Sequence, residues 1–194
     1  MKELPRRLWH IFGGLSLAIA GLLVPENIFL PSLISATVAF LILELSRPKL
    51  PQLNRQFLTW FHPLLRERET STLTGTAYLL VGAVLVFVLY EESIAVMAMT
   101  FVAVGDPIAG MVGERWGEPK TRGKSLVGSG ACFLSCLVAG AILSALIHVA
   151  LSLVVLGSLC ATLVESLSLR INDNLTIPLV SGGAMMLLKL TLGA

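Results

Sequence analysis

The stretch from Gly105 to Gly130, GDPIAGMVGERWGEPKTRGKSLVGSG, is polar, glycine-rich and basic, and it lies between two apolar runs. That contrast reads as a loop joining two membrane helices. Asp106 precedes Pro107 inside what otherwise reads as a membrane span, where a carboxylate is costly unless it is paired, hydrated or metal-bound. Ala109, Gly113 and Gly117 recur every fourth residue and strip one helix face of bulk. Another backbone or a phosphate can then approach closely, with helix packing alone as the plainer reading. Lys120, Arg122 and Lys124 follow, and Ser125, Gly128 and Ser129 open the next apolar run. A helix N-terminus bearing lysine, serine and glycine suits a phosphate.

Composition agrees with membrane spans. Of 194 residues, 55% are hydrophobic, against roughly 45–50% in soluble domains, and the mean hydropathy is +0.85. The net charge of +2 says less than its placement. Cys132, Cys136 and Cys160 fall inside apolar runs without a zinc spacing and read as small core residues. Lys2, Arg6 and Arg7 precede an apolar run containing Ala18-Ile19-Ala20. Leu22, Leu23 and Val24 continue that run, as in an uncleaved anchor.

Seven spans are expected, near 8–24, 28–45, 73–90, 94–112, 126–147, 149–167 and 176–192. The fourth is expected to end through an interruption at Asp106-Pro107. In the polar 47–71 segment, Leu53, Phe57, Trp60, Phe61, Leu64 and Leu65 recur at helical spacing, which predicts an amphipathic helix at the interface. No soluble domain or repeat is evident, so residues 1–194 read as one all-α, multi-pass membrane domain. With seven spans, every Lys and Arg except Lys189 falls on one side, opposite Glu26, Glu91, Glu92 and His148. The positive-inside rule then predicts an N-in, C-out topology, with site loops near 1–10, 113–125 and 168–175 in the cytoplasm. Lys189 is expected to snorkel outward. Trp9, Trp60 and Trp116 read as interfacial anchors.

Two familiar phosphate motifs fail here. Gly123-Lys124-Ser125 imitates the end of a P-loop, but the earlier glycine would fall at Glu118, and no strand precedes it. A dinucleotide fingerprint needs a βαβ unit.

The pattern Gly105-Asp106-Pro107-x-Ala109-x-x-x-Gly113-x-x-x-Gly117-x-x-Lys120, then Gly123-Lys124-Ser125-x-x-Gly128-Ser129, resembles the CTP-dependent polyprenol kinases. These comprise dolichol kinase, phytol kinase and the CTP-using diacylglycerol kinase, distant relatives of phosphatidate cytidylyltransferase. Glu3-x-x-Arg6-Arg7-x-x-His10-x-x-x-Gly14 resembles the family's opening, and Asp173-Asn174-Leu175-Thr176-Ile177-Pro178-Leu179 its closing motif. Val127 stands where dolichol kinases usually carry glutamate, which tilts the resemblance toward the phytol and farnesol branch.

The resemblance implies transfer of the γ-phosphate of CTP to an isoprenoid alcohol, with Mg2+ bridging the phosphates. Phosphoryl transfer needs metal ligands, cations and a group that handles the hydroxyl proton. Asp106 is the first candidate, as metal ligand or base. Asp173 and Glu165 are further metal candidates; a helix cap and an interfacial carboxylate are their plainer readings. Lys124 and Asp173 join Asp106 in the catalytic set. Lys120, Lys124, Ser125, Gly128, Ser129 and Asn174 would hold the nucleotide, although lysines in such a loop also serve topology. Arg6, Arg7 and His10 would meet phosphate or headgroup. Glu44 is a weaker candidate of the same kind as Glu165.

The expected partners are a lipid alcohol and a nucleoside triphosphate within the membrane, with no nucleic acid; an oligomer is possible but not indicated. The alternatives are a diacylglycerol kinase, a phosphatidate cytidylyltransferase, or a small ion-coupled transporter using Asp106, Glu165 and Lys189.

Overall fold

The computed structural model describes residues 3–118, 124–167 and 171–192. Every regular element among them is helical: α1 (Leu4–Leu23), α2 (Glu26–Ser46), α3 (Pro51–Phe61), α4 (Gly75–Leu89), α5 (Glu92–Trp116), α6 (Leu126–Ile147), α7 (Leu151–Leu167) and α8 (Asp173–Leu192). Four segments are long and apolar enough to cross a membrane: Glu26–Lys49, Glu92–Trp116, Leu126–Ile147 and Asp173–Leu192. Gly75–Leu89 and Leu151–Leu167 are apolar but shorter.

The bundle is built around α5, which packs against α1, α4, α6, α7 and α8. Residues 94–103 of α5 are buried without a break, as expected of a helix that is apolar on all sides and enclosed by others. Small residues let its neighbours come close. A Cβ on Gly14 of α1 would stand 2.7 Å from the Ala103 Cβ, and one on Gly105 would stand 2.8 Å from the Cys136 sulfur. Cys132 and Cys136 are fully buried free thiols, in keeping with a packing role. Ile34, Val38 and Ile42 of α2 and Leu134, Val138 and Ile142 of α6 face outward, the pattern of surfaces that meet lipid instead of water.

Three expectations are corrected. The expected break at Asp106-Pro107 is absent, because α5 runs on to Trp116 with Pro107 inside it. Proline removes the one donor that would reach the Ala103 carbonyl, but the packed flanks carry the helix past that loss. The interfacial helix is shorter than the 47–71 pattern implies. It stops at Phe61 and is followed by 3-10 turns at His62–Leu64 and Glu67–Thr70, since Pro63 has no N–H to continue the ladder. Trp60 is exposed while Phe57 is buried, so the six apolar residues do not form one face.

α8 begins at Asp173 instead of Thr176, and its capping side chain is Asn172, whose Oδ1 accepts from the Asn174 N–H at 3.0 Å. Near the end of α8, Lys189 pairs with Glu91 at 2.9 Å.

Candidate active site

A cavity of about 900 Å3 opens at the polar ends of α1, α4, α5, α7 and α8 and is lined by residues from all three sequence regions: Arg6, Arg7 and His10; Asp106, Lys124, Ser125 and Gly128; Glu165, Asp173 and Asn174. Residues more than 160 positions apart in sequence thus share one wall system.

Lys124 is its hub. The Nζ lies 2.8 Å from Glu165 Oε1, 3.1 Å from Asp173 Oδ2 and 3.5 Å from Asp106 Oδ1. Burial alone would disfavour the ammonium, but Asp106, Asp173 and Glu165 outweigh it and push the pKa above the usual lysine value. Asp173 occupies the first turn of α8, where the helix dipole favours a carboxylate. Because Asn172 does the capping, the Asp173 and Asn174 side chains are left to face the cavity. Glu165 is buried, and its second oxygen accepts from Ser129 Oγ at 3.1 Å.

The glycine face of α5 is occupied by protein. A Cβ on Gly117 would stand 2.2 Å from Ser125 Oγ, one on Gly113 2.8 Å from the same atom, and one on Gly128 2.8 Å from the Ala109 carbonyl oxygen. The stripe therefore seats the first turn of α6, as the plainer packing reading has it. Ser125 is buried and caps α6 by accepting from the Gly128 N–H at 3.0 Å, so that hydroxyl and that amide already serve each other. Lys120 and Arg122 lie outside the described residues.

On the opposite wall, Arg7 lies against Gly110 and pairs with Glu114, Nη1 to Oε2 at 3.0 Å. Asn174 donates to the Gly75 carbonyl at 2.8 Å and stands 3.4 Å from His10 Nδ1. Gly75 in turn donates to Glu69 Oε1 at 3.2 Å. Glu44 is no part of the cavity. It accepts from the Thr74 N–H at 3.2 Å and hydroxyl at 3.1 Å, and it sits 3.4 Å from a fully buried Arg47. Arg47 gathers the carbonyls of Glu69, Thr70 and Thr72 at 2.7, 3.1 and 2.8 Å and stacks 4.7 Å from the centroid of the Phe57 ring.

Sequence reasoning missed this strap, together with the cavity residues Arg66, Glu69, Tyr78 and Glu114. The available signal was Glu44-x-x-Arg47, a charged pair one helical turn apart at the end of an apolar span.

The three carboxylates already converge on a cation, and hard oxygen donors suit Mg2+. Among the described residues, no group of three acidic, histidine or cysteine side chains is placed to enclose an ion by itself. That is compatible with Mg2+ held through one or two carboxylates and the phosphates of a nucleotide. The donor set fits.

An all-helical protein with several membrane-length apolar helices and an acidic, lysine-centred cavity at one end is, as a class, a membrane protein equipped to handle a charged ligand. No family profile matches the chain, and no solved structure matches it. It is 32% identical over 206 residues to CTP-dependent diacylglycerol kinase 1 of Eremothecium gossypii, covering 92% of this chain and 65% of that one. It is 35% identical over 124 residues to a probable chloroplastic phytol kinase of Triticum aestivum, covering 54% and 40%. An uncharacterized protein of Rickettsia prowazekii is 28% identical over 188 residues, covering 91% and 90%. The chain belongs to the CTP-dependent polyprenol and lipid kinase family. It spans less than two thirds of the length of each curated kinase it matches.

Proposed function

We propose that this protein transfers the γ-phosphate of CTP to the hydroxyl of an isoprenoid alcohol, of the phytol, farnesol, geranylgeraniol or polyprenol/dolichol type, at the cytoplasmic face of the membrane. The observation that carries the reading is the Lys124 hub, where one ammonium is held by Asp106, Glu165 and Asp173 at the polar end of apolar helices. The alcohol's chain would lie among those helices and its hydroxyl in the cavity. The alcohol oxygen bonds to the γ-phosphorus, the bond from that phosphorus to the bridging oxygen breaks, and CDP leaves. The hydroxyl proton passes to a carboxylate, with Asp106 the first candidate. Lys124 exchanges part of its carboxylate contact for phosphate oxygens as charge moves toward the leaving group. Mg2+, held by Asp173 and Glu165 where Asp106 takes the proton, would offset phosphate charge. Asn174 and His10 position the α8 terminus that carries Asp173.

A second reading, diacylglycerol as acceptor, is favoured by the longer match to the diacylglycerol kinases, 92% of this chain against 54% for the phytol kinase. Transport has no geometric support. Lys189 pairs with Glu91 at the far end of α8, sixteen residues or about 24 Å from Asp173 at 1.5 Å per residue.

The test uses purified protein in detergent with Mg2+, incubating γ-labelled CTP or ATP with phytol, farnesol, a longer polyprenol or diacylglycerol. Label is expected in an isoprenoid from CTP, falling about 100- to 10,000-fold in Asp106→Asn. Label entering only diacylglycerol would transfer the proposal to the second reading. Pyrophosphate released with phosphatidate, with no lipid labelled, would replace kinase by cytidylyl transfer.

A further inference from the structure

The cations of the cavity are unequally committed. Lys124 serves three carboxylates, Arg7 pairs with Glu114, and Arg6 pairs with Glu3 at 2.5 Å. Arg66 lines the same cavity, and among the described residues it makes no ion pair within 4 Å. Arg6 lines it too, so two guanidiniums share one end of the cavity, with Glu3 and Glu69 offsetting part of their charge. Like charges brought together in a partly desolvated space repel unless an anion joins them. Arg6 is 7% exposed, and its Nε is a buried donor with no partner, which is uncommon in folded proteins.

The wall that carries Arg66 is fixed in place. The Arg66 N–H donates to Glu69 Oε2 at 3.1 Å, the other Glu69 oxygen accepts from Gly75, and Arg47 holds three carbonyls of the same loop. The backbone that carries this cation is thus placed before any ligand arrives, and such preorganisation favours binding. Charge balance points the same way. Three carboxylates around one ammonium leave the Lys124 end of the cavity net negative, which repels phosphate unless cations elsewhere compensate. A guanidinium fork matches phosphate oxygens bidentately.

We infer that Arg66, together with Arg6, forms an anion subsite that receives a phosphate group, either of the nucleotide or of the phosphorylated lipid. The ligand class rests on the phosphoryl-transfer reading above; the subsite itself rests on the cations and the orphan donor.

Calorimetric titration of the full protein in detergent with Mg2+ and no acceptor separates the two. CTP and inorganic tripolyphosphate are titrated into wild type, Arg66→Ala and Arg66→Lys, with melting temperature as the folding control. Loss of a charge-assisted contact is expected to weaken both ligands about ten- to a hundredfold in Arg66→Ala. Partial recovery is expected in Arg66→Lys, with melting unchanged in both. If CTP affinity is unchanged but the phosphorylated lipid inhibits the alanine variant more weakly than wild type, the phosphate is the lipid's, and the subsite stands. Equal CTP and tripolyphosphate affinities with equal product inhibition in wild type and Arg66→Ala would overturn it. Arg66-dependent tripolyphosphate binding in a protein that labels no lipid from CTP would retain the subsite while rejecting the kinase reading.

Discussion

At the scale of the residue, Lys124 is where structure and chemistry meet. Its ammonium holds Asp106, Glu165 and Asp173 together, and Glu165 is only 2% exposed, so deleting the cation strands a buried carboxylate beside two others. Lys124→Met is expected to destabilise the protein by about 1–3 kcal/mol, the usual cost of an unsatisfied buried polar group. Adding Glu165→Gln should recover part of that. The sign of the pH dependence follows from the raised pKa. A lysine whose folded value lies above its unfolded value of about 10.4 contributes stability that is fully present below that pH and lost as pH rises through the folded value. The difference between the melting temperatures of wild type and Lys124→Met should therefore persist from pH 7 to 9 and shrink only above about pH 10. A difference that disappears within the lower window would mean Lys124 is not the clamp described.

At the scale of the element, the contact between α5 and α6 is set by missing side chains. Gly128 faces backbone, with the Ala109 carbonyl oxygen 2.8 Å from where its Cβ would be, whereas two residues on, Gly130 has nothing within 4 Å. Gly128→Ala must separate the two helices near Lys124 and is expected to cost about 1–3 kcal/mol, with loss of kinase activity. Gly130→Ala gains helix propensity at no steric cost and should stabilise by about 0.5–1 kcal/mol. Thermal melts of the two variants compare like with like, and equal melting temperatures would refute this account of the interface.

The same interface shows what the sequence could and could not convey. The every-fourth-residue stripe announced a close approach but not what approaches, because a missing Cβ admits a helix or a phosphate equally well. Pro107 marked a local loss of one hydrogen bond, which tertiary packing outweighed. Asp106 and Glu165 were legible as candidates because charge is rare in such apolar surroundings, and Lys124 and Asp173 because their motifs resemble those of the family. Their convergence on one ammonium, and the Arg47 strap that places Arg66, were not legible, since both depend on side-chain contacts across long sequence separations.

At the scale of the whole molecule, α5 and α8 run antiparallel with charged contacts at both ends. Glu91, just before α5, meets Lys189 near the end of α8, while Asp106 and Asp173 meet at Lys124. Glu92 and Asp106 are fourteen residues apart, about 21 Å along a helix, so the two polar ends are separated by most of a hydrocarbon core of roughly 30 Å. The cavity end carries Arg6, Arg7, Arg47, Arg66 and Lys124, and the other end has Lys189 neutralised by an acid. The positive-inside rule favours the proposed cytoplasmic placement of the cavity. In a Cys160→Ser background, Glu92→Cys in right-side-out vesicles is expected to react with a membrane-impermeant maleimide. Arg55→Cys, on the exposed face of α3, should react only after permeabilisation. The opposite labelling pattern would place the cavity outside, away from cytoplasmic CTP, and with it the proposed donor would have to be abandoned.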